Sequence, residues 1–218
     1  MQIPSRRRIL LCLFTFPLSG ILALGALFMR KFVGMPGADP GVWAAVVTSN
    51  RYVIAQYLFI LAYVLPFLGF WALYMVLMQH NTEKLAFWGL VGTLIGTGLP
   101  LTTLGVFAYA SPALGKLYLL GDTHLPQVIT EIAMGSSMVM GLPGAVFYVS
   151  GCILFGIAIW RSFPSVKWSG ILFGLHGILV SLGFGSALML SLSWMFLIAS
   201  GTGLMMGVQK EAVKTNLG

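Results

Sequence analysis

A single histidine, His176, stands in the otherwise apolar or small-residue stretch KWSGILFGLHGILVSLGFG, Lys167 to Gly185. An imidazole in such a place could carry a proton, bind a ligand or tie two helices together. It lies nine residues after Lys167, and at roughly 1.5 Å per residue that is about 14 Å into a bilayer, near the midplane. A histidine at that depth should avoid lipid and find a partner: a carbonyl freed by proline, Gln56, a tyrosine or a water. Glu131 is the acid nearest the membrane on the predicted outer side, because Asp39 and Asp122 sit among turn residues. Its carboxylate could pair with Lys116 or Arg51, serve as a cation or proton station, or face water. Thr102 and Thr103, with Ser136, Ser137, Gln127 and His124 near in sequence, extend this polar set. They read either as the lining of an outward-opening cavity or as groups that repair the backbone around helix prolines.

Other chemistries find no pattern. His80 and His124 fall in loops on opposite sides, so no bis-histidine haem pair forms within a bundle, and the sequence holds no HExxH, nucleophile elbow, phosphate loop, CxxC or paired intramembrane carboxylates. A metal site needs at least three converging ligands, and His176 has no obvious companions. The 12 methionines read as core filler, and Cys12 and Cys152 as packing residues. The expectation is no metal, no cofactor and a balance leaning away from an enzyme.

The elements that must position these residues are membrane helices. With 58% hydrophobic and 8% charged residues over 218 and a mean hydropathy of +0.95, a soluble globule is excluded. The apolar runs are long and do not alternate, which selects helices over a barrel. Six spans are expected, at residues 9–29, 53–78, 85–110, 137–160, 168–185 and 188–208, forming one all-α membrane domain over residues 1–218. The boundary near 183–186 is the weakest, because the stretch from Ser169 to Gln209 has no charged residue. Arg6, Arg7, Arg8, Lys84, Arg161, Lys167, Lys210 and Lys214 fall on one side of this topology, and Arg30, Lys31, Arg51 and Lys116 on the other. The bias puts both termini in the cytoplasm and fits a bacterial inner membrane. The net charge of +7 is then a topology signal with affinity for anionic lipid, not a nucleic-acid footprint. The N-terminus also imitates a secretory signal, and is read as a retained first span.

Within the spans, Pro17, Pro66, Pro100 and Pro143 should each kink a helix. Gly89, Gly92 and Gly96, then Gly170, Gly174, Gly177 and Gly185, and finally Gly203 and Gly207, recur at helical spacing and predict close helix contacts. His176 projects roughly 140° from the centre of the second seam, so span five should be enclosed on two sides. Outside the spans, Val42 to Val47 should form a short interfacial helix anchored by Trp43, and Leu125 to Met134 a helical lead into span four.

Two stretches, FWALYMVLMQHNTEKLAFWGLVG at Phe70 to Gly92 and ILFGIAIWRSFPSVKWSGILFGLHGIL at Ile153 to Leu179, resemble those of an uncharacterised bacterial family of six-helix integral membrane proteins. In each a span ends in an aliphatic-aromatic stretch, turns through a short basic loop and re-enters, with Arg161, Pro164 and Lys167 fitting best. The resemblance implies six helices and no assigned activity. Three functions are therefore expected in order: a non-enzymatic subunit that binds membrane lipids, a membrane protein partner or a second copy of itself; a small-solute or proton-coupled transporter using kinked spans three to five; and a membrane enzyme acting on a lipid or quinone with His176 as base.

Overall fold

The computed structural model describes residues 5–30, 39–183 and 186–215. Among these residues the chain is helical throughout and has no strand. Helices α1 (Arg6–Leu13) and α2 (Thr15–Met29) build the first span, and α4 (Asn50–Val64) and α5 (Pro66–Leu77) the second. Both interruptions have the same cause. Pro17 cannot donate to the Leu13 carbonyl, and the helix breaks at Phe14; Pro66 cannot donate to Ala62, and it breaks at Leu65. In the first break the Thr15 hydroxyl donates to the Cys12 carbonyl at 2.6 Å.

The third span is longer than its hydropathy suggests. Helix α6 (Glu83–Gly105) runs through Pro100, passes a π turn at Val106–Ala110 and continues as α7 (Ser111–Leu119). The continuous helical run of 37 residues exceeds the roughly 20 needed to cross a bilayer, so its end stands outside. There Gly115 packs on Val47 and Thr48, and Gly121, at φ 111°, turns the chain away. Helix α8 (Leu125–Met134) leads into α9 (Ser136–Ser162), which carries Pro143 inside a continuous helix. A single 3-10 turn at Pro164–Val166 joins α9 to α10 (Lys167–Leu182), and α11 (Ala187–Thr215) closes the bundle. Among the described residues six helical runs are long and apolar enough to cross a membrane, within a few residues of the expected spans except at the extended third. Gly185 lies outside the described residues.

Helix α9 is the centre of the packing. One side meets α6: a Cβ on Gly96 would run into the Tyr148 backbone, one on Gly92 would meet Gly151 at 2.9 Å, and one on Gly89 the Phe155 ring at 2.9 Å. The other side meets α10, where Gly170 sits against Gly156 and Gly177 against Cys152. Gly174 differs, since a Cβ there would meet nothing within 4 Å. On α11, Gly203 faces Ser169 and Gly207 faces Val166. Between these seams Phe16, Phe70, Phe155 and Phe173, from four spans, are fully buried and interlock, with centroids 5.3 Å apart for Phe16–Phe173 and 6.1 Å for Phe70–Phe155.

A second, smaller core lies at the end of the bundle where α3, α7 and α8 meet. Helix α3 (Pro40–Val47), capped by the Asp39 carboxylate on the Val42 amide at 3.0 Å, packs with α7 and α8. Trp43 is only 3% exposed there, among Val47, Tyr52 and Ile129. The expected interfacial anchor is therefore a core residue, because α7 and α8 cover the face that an isolated α3 would offer to the membrane surface.

Candidate functional site

His176 lies on α10 with no exposed surface, held between α9 and α11. Its Nε2 is 3.0 Å from the Tyr148 hydroxyl of α9. Its Nδ1 is 3.0 Å from the Ser193 carbonyl oxygen of α11 and 2.8 Å from Ser193 Oγ. Ser193 Oγ is in turn 3.0 Å from the carbonyl of His176 itself. A carbonyl oxygen can only accept, so Nδ1 carries the hydrogen. In the neutral ring Nε2 is then a lone pair and accepts from the Tyr148 O–H. The Ser193 hydroxyl donates to the His176 carbonyl while its oxygen shares the Nδ1 hydrogen.

A phenol, an imidazole and a serine in series can relay a proton when the ends are wet. Here Tyr148 is 7% exposed and His176 and Ser193 not at all, and the series closes on two backbone carbonyls. Trp194 packs on the imidazole with centroids 5.3 Å apart, and Tyr148 meets it edge-on at 5.9 Å. The arrangement is a clasp between three helices. A parallel link lies nearer the inner end, where the Ser200 hydroxyl donates to the Ser169 carbonyl at 2.7 Å.

The other expected polar residues do not join His176. Glu131, Gln127 and His124 are exposed, on and just before α8; the side chains of Ser136 and Ser137 lie outside the described residues. Thr102 is exposed and donates to the Leu99 carbonyl at 2.7 Å, not to the Gly96 carbonyl that Pro100 leaves without an amide donor. Pro100 itself packs on α9, 2.8 Å from where a Gly144 Cβ would stand.

Gln56 is the centre of a separate group. It is fully buried on α4, one turn from Tyr52, and neither of its amide atoms has a hydrogen-bond partner. Gln56 and Ser111 lie close enough to the Tyr52 hydroxyl to influence it, but the bond that the hydroxyl makes runs to the Phe107 carbonyl, in the π turn, at 3.3 Å. The buried Ser111 and Thr103 hydroxyls are likewise without partners. The Arg30 guanidinium lies 5.8 Å from the Tyr52 ring centroid, and burial holds its pKa below the ordinary arginine value. Arg51 donates to the Phe28 carbonyl at 3.1 Å, closing the end of α2.

At the opposite end the α5–α6 turn meets the end of α9. The Thr82 and Ser162 hydroxyls are 2.9 Å apart, at the edge of an open hollow of about 430 Å³ that includes Gln79, Asn81 and Arg161. Among the described residues no three His, Cys, Asp or Glu side chains come together to hold a metal.

Sequence reasoning missed Tyr148, Ser193 and Trp194, which complete the histidine clasp. It also missed Tyr52 and Ser111 beside Gln56. The signal for Tyr148 was present, since it is the only tyrosine in the fourth span. No known family model, curated protein or solved structure matches this chain.

Proposed function

We propose that this chain is a non-enzymatic multi-pass protein of a bacterial inner membrane, with both termini cytoplasmic, that works through its surfaces on membrane lipids and on protein partners or further copies of itself. The observation that carries this reading is the closed bonding of His176: the ring has both nitrogens committed to neighbouring helices and offers no free edge for a substrate. The positions of Trp160 and Trp168, with Lys167 Nζ 5.0 Å from the Trp160 ring centroid, suit an inner aromatic and basic belt. The resemblance to the six-helix family agrees with this reading and adds no activity to it.

The second reading, a small-solute or proton-coupled transporter, draws on one observation. A fully buried glutamine with an unpaired amide carries a desolvation penalty that a polar solute or water would relieve. On this reading the solute would be met by Gln56, with Thr103 as a second polar group, rather than by His176. The enzyme reading, with His176 as base toward a lipid or quinone, has the least support, because both ring nitrogens are already hydrogen-bonded.

The test is flux. Protein reconstituted in liposomes with an internal pH-sensitive dye should leak protons no faster than empty vesicles, for the wild type and for Gln56→Leu alike. Flux above that background, abolished by Gln56→Leu in a protein that still folds, would replace the first reading with the second.

A further inference from the structure

The sequence RRRILLCLF at Arg6 to Phe14 places Arg7, Leu11 and Phe14 three to four residues apart, on one helical stripe. In the structure that stripe faces outward: Arg7 is exposed, Leu11 is 61% exposed and Phe14 45%. Beside it, Arg6 reaches across to α11 and donates to the Gln209 carbonyl at 3.0 Å. The two helices thereby bound an open furrow of about 410 Å³, walled by Leu10, Leu11, Phe14 and Met205 and headed by Arg6 and Arg7.

The chemistry of the furrow changes along its length. Its head is cationic, with Arg6, Arg7, Arg8 and Lys210 all exposed at the same end. Its walls are wholly apolar. From Arg6 to Phe14, eight residues of rise cover about 12 Å, comparable with the roughly 15 Å half-thickness of a bilayer's hydrocarbon. An occupant must therefore present negative charge at the membrane surface and hydrocarbon below it. Arg6 is held to α11 by its bond to Gln209, which fixes a charge that would otherwise swing freely in water.

We propose that the furrow between α1 and α11 is a binding site for an anionic phospholipid, with the phosphate at Arg6 and Arg7 and an acyl chain along Leu11, Phe14 and Met205. This rests on the surface-binding reading above and names its ligand. It goes beyond the general attraction of basic residues for anionic membranes because one helix pair supplies both the charge and the chain groove.

The experiment uses the full chain in nanodiscs or detergent, with native mass spectrometry to count retained phosphatidylglycerol against phosphatidylcholine. Wild type should retain phosphatidylglycerol preferentially. Arg7→Gln should reduce that retention about five-fold, from the roughly five-fold worth of one basic residue near an anionic surface. Leu11→Trp, on a lipid-facing position that tolerates bulk, should fill the groove and lower retention of both lipids with the charges intact. The paired control is Arg161→Gln with Lys167→Gln, two exposed cations that do not line the furrow. If those changes lower phosphatidylglycerol retention as much as Arg7→Gln, or if Leu11→Trp has no effect, the localised site is overturned while lipid binding by the surface stands. If wild type retains neither lipid, the surface-binding reading falls with it.

Discussion

Replacing His176 with leucine removes the ring from the middle of three helices, and the loss is unequal at its two edges. At the Nδ1 edge, Ser193 keeps its bond from Oγ to the carbonyl of residue 176, since that acceptor is backbone. At the Nε2 edge, the Tyr148 hydroxyl is left without its partner in a buried site. The complementary change, Tyr148→Phe, deletes the phenol oxygen and leaves Nε2 unbonded. An orphaned buried polar group costs about 1–3 kcal/mol, whereas coupling between hydrogen-bonded side chains inside membrane proteins averages about 0.6 kcal/mol and reaches about 1.7. His176→Leu alone should therefore destabilise by about 1–3 kcal/mol, and Tyr148→Phe by about 1 kcal/mol. The double variant should be less damaging than the sum, with a coupling of about 0.6–1.7 kcal/mol. The assay is reversible unfolding in mixed micelles, followed by the fluorescence of the tryptophans, of which Trp194 touches the imidazole. Strict additivity, within the roughly 0.3–0.5 kcal/mol seen for independent sites, would refute the clasp. So would stability unchanged by either single substitution.

Two further expectations concern packing. Gly96→Ala drives a methyl into the Tyr148 backbone, which has no rotamer to yield, so overpacking should cost about 1–3 kcal/mol; Gly174→Ala, where nothing lies within 4 Å, should be neutral or slightly stabilising in the same unfolding assay. Trp43→Ala empties the outer core and should cost about 3–5 kcal/mol of local stability, read as faster proteolysis between Ser111 and Gly135 while the transmembrane helices stay protected.

The six spans were legible because membrane insertion is decided by long-range apolar content, which a single sequence displays in full. Pro17 and Pro66 coincide with interruptions of their helices, and Pro100 and Pro143 lie inside helices that continue past them. The end of span three was not legible, because α7 is carried past the membrane by a π turn and is stabilised by α3, a contact between distant stretches. Trp43 was misplaced for the same reason. The glycine seams show where periodicity succeeds and where it fails. Gly89, Gly92 and Gly96 mark a single face of α6, whereas Gly151 and Gly156 of α9 were overlooked because that helix packs on two sides and its glycines divide between them. Gly174 shared the spacing of its seam and yet needs no room for itself. For His176 the need for burial and for partners could be read from the sequence. Which partners it has depends on how α9 and α11 are rotated, and no local pattern encodes that.

The first and last spans are neighbours. Gly20 on α2 lies against Trp194 and Ile198 of α11, and Gly201 against Phe16 and Pro17, so the face of the first helix that must be covered is covered by the last one made. At ordinary translation rates of roughly 5–20 residues per second, that face waits about 10–40 s for its partner. During this interval Phe16, Pro17 and Gly20, all buried in the finished bundle, lack their cover from α11. Biogenesis is thus an obligatory waiting step with a defined vulnerable surface. A ribosome stalled before Ala187 would leave the nascent chain open along this seam.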